Sequence, residues 1–355
     1  MKRLRLFRRD ENRGSWKRLA VQIGLLVFAL TGYAFAPPTA NAAVPSKVRI
    51  SVLYDAFGKP SQMVKDWGYA ALIEVNGKRI LFDTGDNAEI FAQNVKTMGV
   101  DLTKLDFVVI SHRHGDHIGG LTYLLHVNPA VKIYAPKENF GVFGFSLPSS
   151  FYRKAESLPA EMRYYDGAPP PVMKFGNAWP GADFELIEKT TEIAPGIHLI
   201  ALVSDKPNTL ELRELSLAIE TPDGLVLVVG CSHPGIEKIV ETASTIDKHI
   251  GLVAGGFHLV VAKDPEIEHV AMALRDTYHV DYVAPGHCAG ELTFAALQQV
   301  FGARYLYAGV GTVVDLETVP RAGAQTTNPA IDAHELDTYR TLVGVRARNG
   351  YQGQD

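Results

Sequence analysis

The chain has 355 residues, of which 46% are hydrophobic and 21% are charged, and its formal net charge is -4. This composition is typical of a folded globular protein and excludes a disordered chain, a collagen and a simple coiled coil. The negative charge argues against nucleic acid as the main partner, since proteins that bind it are usually basic. Two cysteines exclude a disulfide-rich scaffold.

The amino-terminal segment, residues 1–42, has the pattern of a secretory signal peptide. A basic stretch precedes an uncharged apolar run at 19–36, and Ala40-Asn41-Ala42 follows as a small-x-small cleavage site. We therefore expect cleavage after Ala42, export into a bacterial periplasm, and a mature chain that makes no contact with the membrane. The apolar run is about as long as a membrane span, so an uncleaved membrane anchor is the alternative.

Apolar periodicity predicts the elements that follow. Strands are predicted at 48–54, 70–75, 79–83, 105–110, 131–135, 184–188, 196–203, 214–220, 225–230, 250–254, 280–284 and near 304–314. Helices are predicted at 87–98, from about residue 116, and at 234–248, 264–278 and 291–302. Asn76-Gly77 is typical of a hairpin turn between two strands. This order indicates sheets covered by helices, in one domain at 43–319.

Two segments do not fit the regular pattern. Residues 138–184 are rich in aromatic side chains and lack strong periodicity, so we interpret them as an insertion. It is either a surface loop packed by its own aromatic rings or a lid over a functional site, since long loops in compact domains are often functional. Residues 320–355 form a polar tail with a short helix predicted at 331–345.

A cluster of metal-ligand residues stands where the predicted strand 105–110 ends. It contains His112, His114, Asp116 and His117 within six residues. His112 and His114 are two positions apart, so an extended segment points both side chains the same way. Neutral imidazole and carboxylate groups are good ligands for zinc and other divalent metals. The cluster therefore predicts a metal site at this strand end.

Three further histidines follow later strands. His233 lies in Gly-Cys-Ser-His-Pro-Gly, His258 in Gly-Gly-Phe-His-Leu, and His287 in Pro-Gly-His-Cys-Ala-Gly. Side chains at the ends of separate strands meet at one edge if those strands share a sheet. We expect these histidines to approach the cluster at 112–117.

The motif His-x-His-x-Asp-His at 112–117 resembles the signature of the metallo-β-lactamase superfamily. The resemblance implies an α+β fold, a four-layer αββα sandwich with metals at one edge of its sheets. The segments around His233, His258 and His287 narrow it to the subfamily that includes the 7,8-dihydropterin-6-methyl-4-(ribofuranosyl)aminobenzene 5′-phosphate synthases. Trp67-Gly68-Tyr69 and Asp83-Thr84-Gly85 agree with this match, which covers about 48–315.

The resemblance also implies a ligand set for two metal positions. The first is assigned to His112, His114 and His233, and the second to Asp116, His117 and His287. The metal is expected to be zinc, as one or two ions, with manganese or iron as alternatives.

This sequence departs from the family pattern in two respects. Residues 205–216 lack the histidine that members of the superfamily usually carry there. Cys231 stands roughly where they have an aspartate that bridges the metals. The bridging ligand is therefore open.

The residues beside the expected ligands have alternative interpretations. Cys231 and Cys288 are either metal ligands, a disulfide pair or buried packing groups. Asp83 either orients a metal-binding histidine, as the resemblance implies, or simply forms the turn Asp-Thr-Gly. His258 is a proton donor, a substrate contact or an ordinary loop histidine. The histidines without a ligand-like context are expected to be structural or exposed, namely His126, His198, His249, His269, His279 and His334.

The function expected from this set is that of an exported metal-dependent hydrolase. A metal-bound hydroxide would attack a carbonyl or phosphoryl centre of a small-molecule substrate, with Asp116 orienting the nucleophile and His258 assisting the leaving group. The alternative is an exported protein that binds a metal and a ligand without catalysis. The sequence favours no particular oligomeric state.

Overall fold

The computed structural model describes residues 48–138, 145–175, 179 and 181–319. The predicted signal peptide and the polar tail with its short helix lie outside the described residues, so both stay predictions. Within the described ranges, no helix is both long and apolar enough to cross a membrane.

Fifteen strands are present in the part of the chain that the structure describes. They are β1 (Val48–Tyr54), β2 (Ala70–Val75), β3 (Lys78–Phe82), β4 (Phe107–Val109), β5 (Lys132–Pro136), β6 (Phe145–Pro148), β7 (Val172–Phe175), β8 (Asp183–Ile187), β9 (Thr191–Ala194), β10 (Ile197–Val203), β11 (Arg213–Ile219), β12 (Leu225–Val229), β13 (Ile250–Gly256), β14 (Tyr282–Gly286) and β15 (Val313–Asp315). The α-helices are α1 (Ala88–Thr97), α2 (Gly115–Ile118), α3 (Leu121–Val127), α4 (Ile236–Ala243), α5 (Asp264–Met272) and α6 (Glu291–Phe301).

Two large sheets carry the fold. The first has the strand order β15-β1-β2-β3-β4-β5-β8, and the second has the order β14-β13-β12-β11-β10-β9. In the first sheet β3, β4 and β5 run parallel, and in the second β12, β13 and β14 run parallel. Because parallel strands end at the same edge of a sheet, the loops after β3 and β4 are neighbours, as are the loops after β12, β13 and β14.

Three apolar layers define the sandwich. Strand β12 contributes side chains to two of these layers, one on each of its faces. Its alternate residues Val226 and Val228 belong to the core between the sheets, while Leu225, Leu227 and Val229 pack with the helices α4, α5 and α6. A third cluster joins the first sheet to α1 and α3. A strand buried on both faces reads as a continuous apolar run, as β12 does. The predicted αββα sandwich is confirmed.

Most predicted elements are present, with differences at their ends. The helix predicted at 234–248 begins only at Ile236, because Gly235 at φ 99° forms its cap, and it ends at Ala243. The last strand is much shorter than predicted, since only β15 pairs with β1. Strand β9 was not predicted, because it has only four residues, the first two of them polar, and ends directly before a turn.

The insertion at 138–184 contains a small antiparallel hairpin, β6 with β7, and short 3-10 turns. Its side chains Met162, Tyr164 and Tyr165 are exposed. Tyr152 packs edge-on against Tyr164, with ring centres 5.1 Å apart, so the aromatic residues partly pack against one another. That the segment closes over a site stays a prediction.

Candidate metal centre

The strand ends bring the first predicted ligand group together. His112 Nε2 lies 3.1 Å from His114 Nδ1, and the rings of both histidines lie within 4.8 Å of the His233 ring, centre to centre. Each of the three offers one ring nitrogen, and these nitrogens all lie within 4.8 Å of one another. The extended backbone of His114, at φ -66° and ψ 145°, aims its side chain back beside His112 before α2 begins. The two side chains therefore point the same way, as their spacing predicts.

The second predicted group lies beside the first. His117 Nε2 is 3.2 Å from His287 Nε2, and Asp116 Oδ2 is 3.3 Å from His287 Nε2 and 3.9 Å from His117 Nε2. The rings of His112 and His117 are 4.1 Å apart, so the two groups share one edge of the sandwich. The loops after β4, β12 and β14 supply all six residues.

Asp83, at the end of β3, holds the loop after β4 in place. It accepts hydrogen bonds from the backbone N–H of Ser111 at 2.7 Å, from the Ser111 hydroxyl at 2.7 Å and from His117 Nδ1 at 2.6 Å. Because Nδ1 of His117 is engaged, its Nε2 faces the centre. Asp83 has the orienting geometry that the resemblance implies, and at φ 58° it also forms the turn.

Glu214 performs the same task for the loop after β12, and the sequence analysis missed it. This buried carboxylate accepts hydrogen bonds from the backbone N–H groups of Cys231 (2.9 Å), Ser232 (2.7 Å) and His233 (2.8 Å). It also accepts one from His233 Nδ1 at 3.0 Å, so the remaining ring nitrogen of His233 is free for the centre. The available signal was a glutamate that alternates with a serine inside a strand whose other residues after the first are apolar, Arg-Glu-Leu-Ser-Leu-Ala-Ile.

Asp55, directly after β1, is a third buried carboxylate that the sequence analysis missed. It accepts hydrogen bonds from the backbone N–H groups of His287 at 2.9 Å and Ala56 at 2.7 Å. The bond to His287 stabilises a residue whose φ is 47°, in the left-handed region. Burial raises the pKa of Asp55 to about 8. Each of the three ligand-bearing loops is thus anchored by one buried carboxylate.

Burial favours the neutral form of two histidines of the centre, which is the form that binds a cation, whereas Asp83 favours the charged form of His117. Burial and the neighbouring histidines lower the pKa of His112 well below its usual value, and burial lowers the pKa of His114 to about 4. Burial opposes the charged form of His117, but Asp83 outweighs it and raises the pKa of His117 to about 9. Asp116 is also partly buried, yet its hydrogen bond with His287 holds its pKa well below the usual range.

The donor set fits a divalent metal. A neutral imidazole has one donor and one acceptor nitrogen, and here several buried ring nitrogens face one another and a carboxylate across 3–4 Å. His287 Nδ1 is buried with no hydrogen-bond partner in the structure. A cation that accepts these lone pairs satisfies such a cluster, and imidazole with carboxylate is the ligand chemistry of zinc, iron and manganese.

Cys231 lies between the two groups. Its Sγ is 3.2 Å from His117 Nε2, and it falls within one set of potential ligands with His112 and His117 and within another with His233 and His258. Burial raises the pKa of the Cys231 thiol, so a neighbouring cation is needed to hold it as a thiolate. Cys231 and Cys288 are both free thiols in the structure, which does not show the disulfide alternative.

His258 lies at the rim of the centre. Its ring is 4.3 Å from the His233 ring, and its backbone is in the left-handed region at φ 51°. A hydrogen bond with Cys288 raises the pKa of His258 above its usual value. The position at the rim agrees with a proton donor or a substrate contact, and both roles stay predictions.

The described histidines outside this cluster lie elsewhere. His198 pairs with Glu220 at 2.6 Å, and His249 pairs with Asp281 at 2.6 Å. His269 is exposed and lies 3.2 Å from Glu237. These three fit the structural or exposed roles expected of them.

Comparison with known proteins gives consistent matches. The family model described as "Metallo-beta-lactamase superfamily" matches residues 68–204. The 7,8-dihydropterin-6-methyl-4-(beta-D-ribofuranosyl)-aminobenzene-5'-phosphate synthase of Methanocaldococcus jannaschii is 31% identical over 279 residues, covering 70% of this chain and 90% of that protein.

Two solved structures extend the comparison. Tm1679, whose structure is titled a metal-dependent hydrolase of the beta-lactamase superfamily, has a TM-score of 0.56 and 26% identity, over 75% of this chain and 98% of that one. The metallo-beta-lactamase fold protein YhfI from Bacillus subtilis has a TM-score of 0.50 and 14% identity, over 76% and 99% of the two chains. The second likeness concerns the fold alone.

Proposed function

The chain belongs to the metallo-β-lactamase superfamily, and from this membership we propose that it is a metal-dependent hydrolase acting on a small molecule. The observation that carries the proposal is the meeting of two ligand groups at one edge of the sandwich, where both sheets contribute ligands. They are His112, His114 and His233 on one side and Asp116, His117 and His287 on the other. These residues would hold one or two divalent ions, with zinc as the first choice.

The chain's own residues have separate tasks in this proposal. When bound, a divalent metal lowers the pKa of a water molecule and polarises the oxygen of a carbonyl or phosphoryl group. Asp116, which stays ionised, accepts a hydrogen bond from the attacking water and orients it. His258 holds a proton at the rim and delivers it to the leaving group. Asp83 and Glu214 keep the ring nitrogens of His117 and His233 directed at the centre.

We propose that the substrate is a small molecule that carries a carbonyl or phosphoryl group. One relative is named as a synthase of a phosphorylated pterin compound, and a structural relative is titled a metal-dependent hydrolase. One fold hosts many reactions, so the site and not the fold must decide the substrate. Export is proposed from residues 1–42, whose pattern is that of a signal peptide.

Metal content together with a substrate screen tests the proposal. Residues 43–355 are purified without chelators, analysed for bound metals, and assayed against phosphoesters, lactones and β-lactams. One or two metals per chain with metal-dependent hydrolysis is the expected result. Metal binding without hydrolysis in any class would favour the non-catalytic alternative. A chain that binds neither zinc nor manganese would contradict the metal centre itself.

We also propose that the Cys231 thiolate is a metal ligand, because its Sγ lies between the two groups. In the cobalt-substituted protein, a sulfur-to-metal charge-transfer band is expected, and Cys231→Ser should remove it. Cys288→Ser is the comparison variant, because Cys288 is equally buried, lies with Cys231 and His287 in one set of potential ligands, and places its thiol 3.5 Å from the Cys231 carbonyl. A band that is lost in Cys231→Ser and kept in Cys288→Ser supports the proposal. A band that persists in Cys231→Ser would assign Cys231 to packing.

A further inference from the structure

Trp67 is a large aromatic side chain that remains exposed beside the metal centre. It is 46% exposed, and its ring centre lies 5.0 Å from that of His287, with an angle of 52° between the planes. Tryptophan side chains are usually well buried, because they carry much apolar surface. The Trp67 ring therefore contacts a ligand residue of the centre, while much of it remains open to solvent.

The backbone around Trp67 is fixed by the same elements that form the centre. Asp66 N–H donates to the Asp55 carbonyl at 3.3 Å, and Tyr69 N–H donates to the Asp116 carbonyl at 3.1 Å. Gly68, at φ 144°, passes so close that an added Cβ would lie 2.5 Å from the Asp116 carbonyl oxygen. The backbone that carries the indole is thus fixed, and the ring itself rests against His287, so Trp67 has less freedom to lose when a ligand binds.

A second exposed apolar side chain lies beside the loop that carries His287. The backbone N–H groups of Leu259 and Val260 donate to the Cys288 carbonyl at 3.1 and 3.0 Å, which fixes Val260 against this loop. Val260 is 44% exposed. The His287 loop is therefore bordered by the open indole of Trp67 and by an exposed aliphatic group. Such a border favours an apolar part of a bound molecule over a charged part.

We propose that Trp67 contacts the substrate and selects molecules that carry an aromatic ring next to the hydrolysed group. The inference rests on the proposed function, because the hydrolysed group is placed at the six metal-binding residues. His287 Nε2 faces Asp116 and His117, so a single imidazole ring separates Trp67 from the centre. A ring attached directly to a carbonyl or phosphoryl group held there would have to pass only the His287 imidazole to contact the open part of the indole.

Two small oxyanions test this specificity without requiring turnover. Phenylphosphonate and methylphosphonate carry the same metal-binding group and differ only in the ring. Calorimetric titration of zinc-loaded 43–355 is expected to show phenylphosphonate binding about three- to tenfold more tightly, which is the usual gain from one aromatic pair. Trp67→Ala should bring the ratio close to one, whereas Trp67→Phe should retain most of it.

Trp179→Phe is the matched control. Trp179 packs on Phe184, with ring centres 6.4 Å apart, and Nε1 approaches Thr122 Oγ1 at 3.4 Å, so it belongs to the cluster on the outer face of the first sheet. The substitution should leave the ligand ratio unchanged. It also makes Trp67 the only tryptophan within 43–355. In this variant, phenylphosphonate but not methylphosphonate should change the tryptophan emission, which tests the contact even if Trp67→Ala folds poorly.

The possible outcomes distinguish a failure of the metal centre from a failure of the role assigned to Trp67. If neither phosphonate binds the metal-loaded protein, the metal centre and the proposed function fail together. If both bind with equal affinity, or if the preference survives in Trp67→Ala, the inference on Trp67 is overturned and the hydrolase proposal stands. Unchanged emission of Trp67 on binding of phenylphosphonate would overturn it as well.

Discussion

Replacement of His114 by alanine is expected to remove most of the bound metal and to lower kcat/KM by about three orders of magnitude. His114 forms one group with His112 and His233, and without it two ring nitrogens remain on that side. A catalytic metal stabilises the transition state by several kcal/mol, and each 1.36 kcal/mol corresponds to a factor of ten in rate. Elemental analysis and steady-state kinetics on the same preparation measure both effects.

His269→Ala provides the control for this substitution. His269 also has a carboxylate partner, Glu237 at 3.2 Å, but its side chain is exposed and lies on α5. Its loss should change neither metal content nor rate. Thermal unfolding adds a second measure, because a metal that binds only the folded state raises the melting temperature. Wild type should gain stability on adding zinc, while His114→Ala should gain little. A variant of His114 that retains the wild-type metal content would refute the assignment.

The metal-binding residues could be predicted from the sequence because most of them are contiguous or stand directly after an apolar strand. His112, His114, Asp116 and His117 fall within six residues, and His233 and His287 each follow a run that can only be a buried strand. Parallel strands bring the ends of β12 and β14 to one edge of the second sheet, whereas β4 ends at an edge of the first sheet. The order of strands therefore predicts that each residue stands at a sheet edge, and the packing of the two sheets brings those edges together.

The residues that orient the ligands could not be predicted in the same way. Asp55 binds the backbone of a residue 232 positions away in the sequence, across the two sheets. Glu214 lies in the strand before the one that leads to His233, so its contact depends on how β11 pairs with β12. These contacts follow from register and from sheet packing. In the sequence these contacts leave only an acidic residue within or directly after a strand, at Glu214 and at Asp55.

Replacement of Glu214 by alanine is expected to lower the free energy of unfolding by about 3–5 kcal/mol, because several buried donors then lose their common acceptor. The carboxylate is 1% exposed and accepts three backbone N–H groups and His233 Nδ1. Without it these donors stay buried and unpaired, at about 1–3 kcal/mol each where the loop cannot relax. Urea unfolding measures the loss. Glu214→Gln should lose less, since its amide oxygen still accepts.

Glu220→Ala is the control, because it removes a carboxylate that also pairs with a histidine but is not buried. Glu220 lies just after β11 and pairs with His198 at 2.6 Å, but its side chain is 49% exposed. Exposed ion pairs contribute about 0–1 kcal/mol, so its removal should change stability little. Both variants are compared after removal of the metal, because the loss in Glu214→Ala then arises from the loop at 230–235 and not from weaker metal binding. Equal stability of the two variants would mean that Glu214 does not hold this loop, and the position of His233 would need another cause.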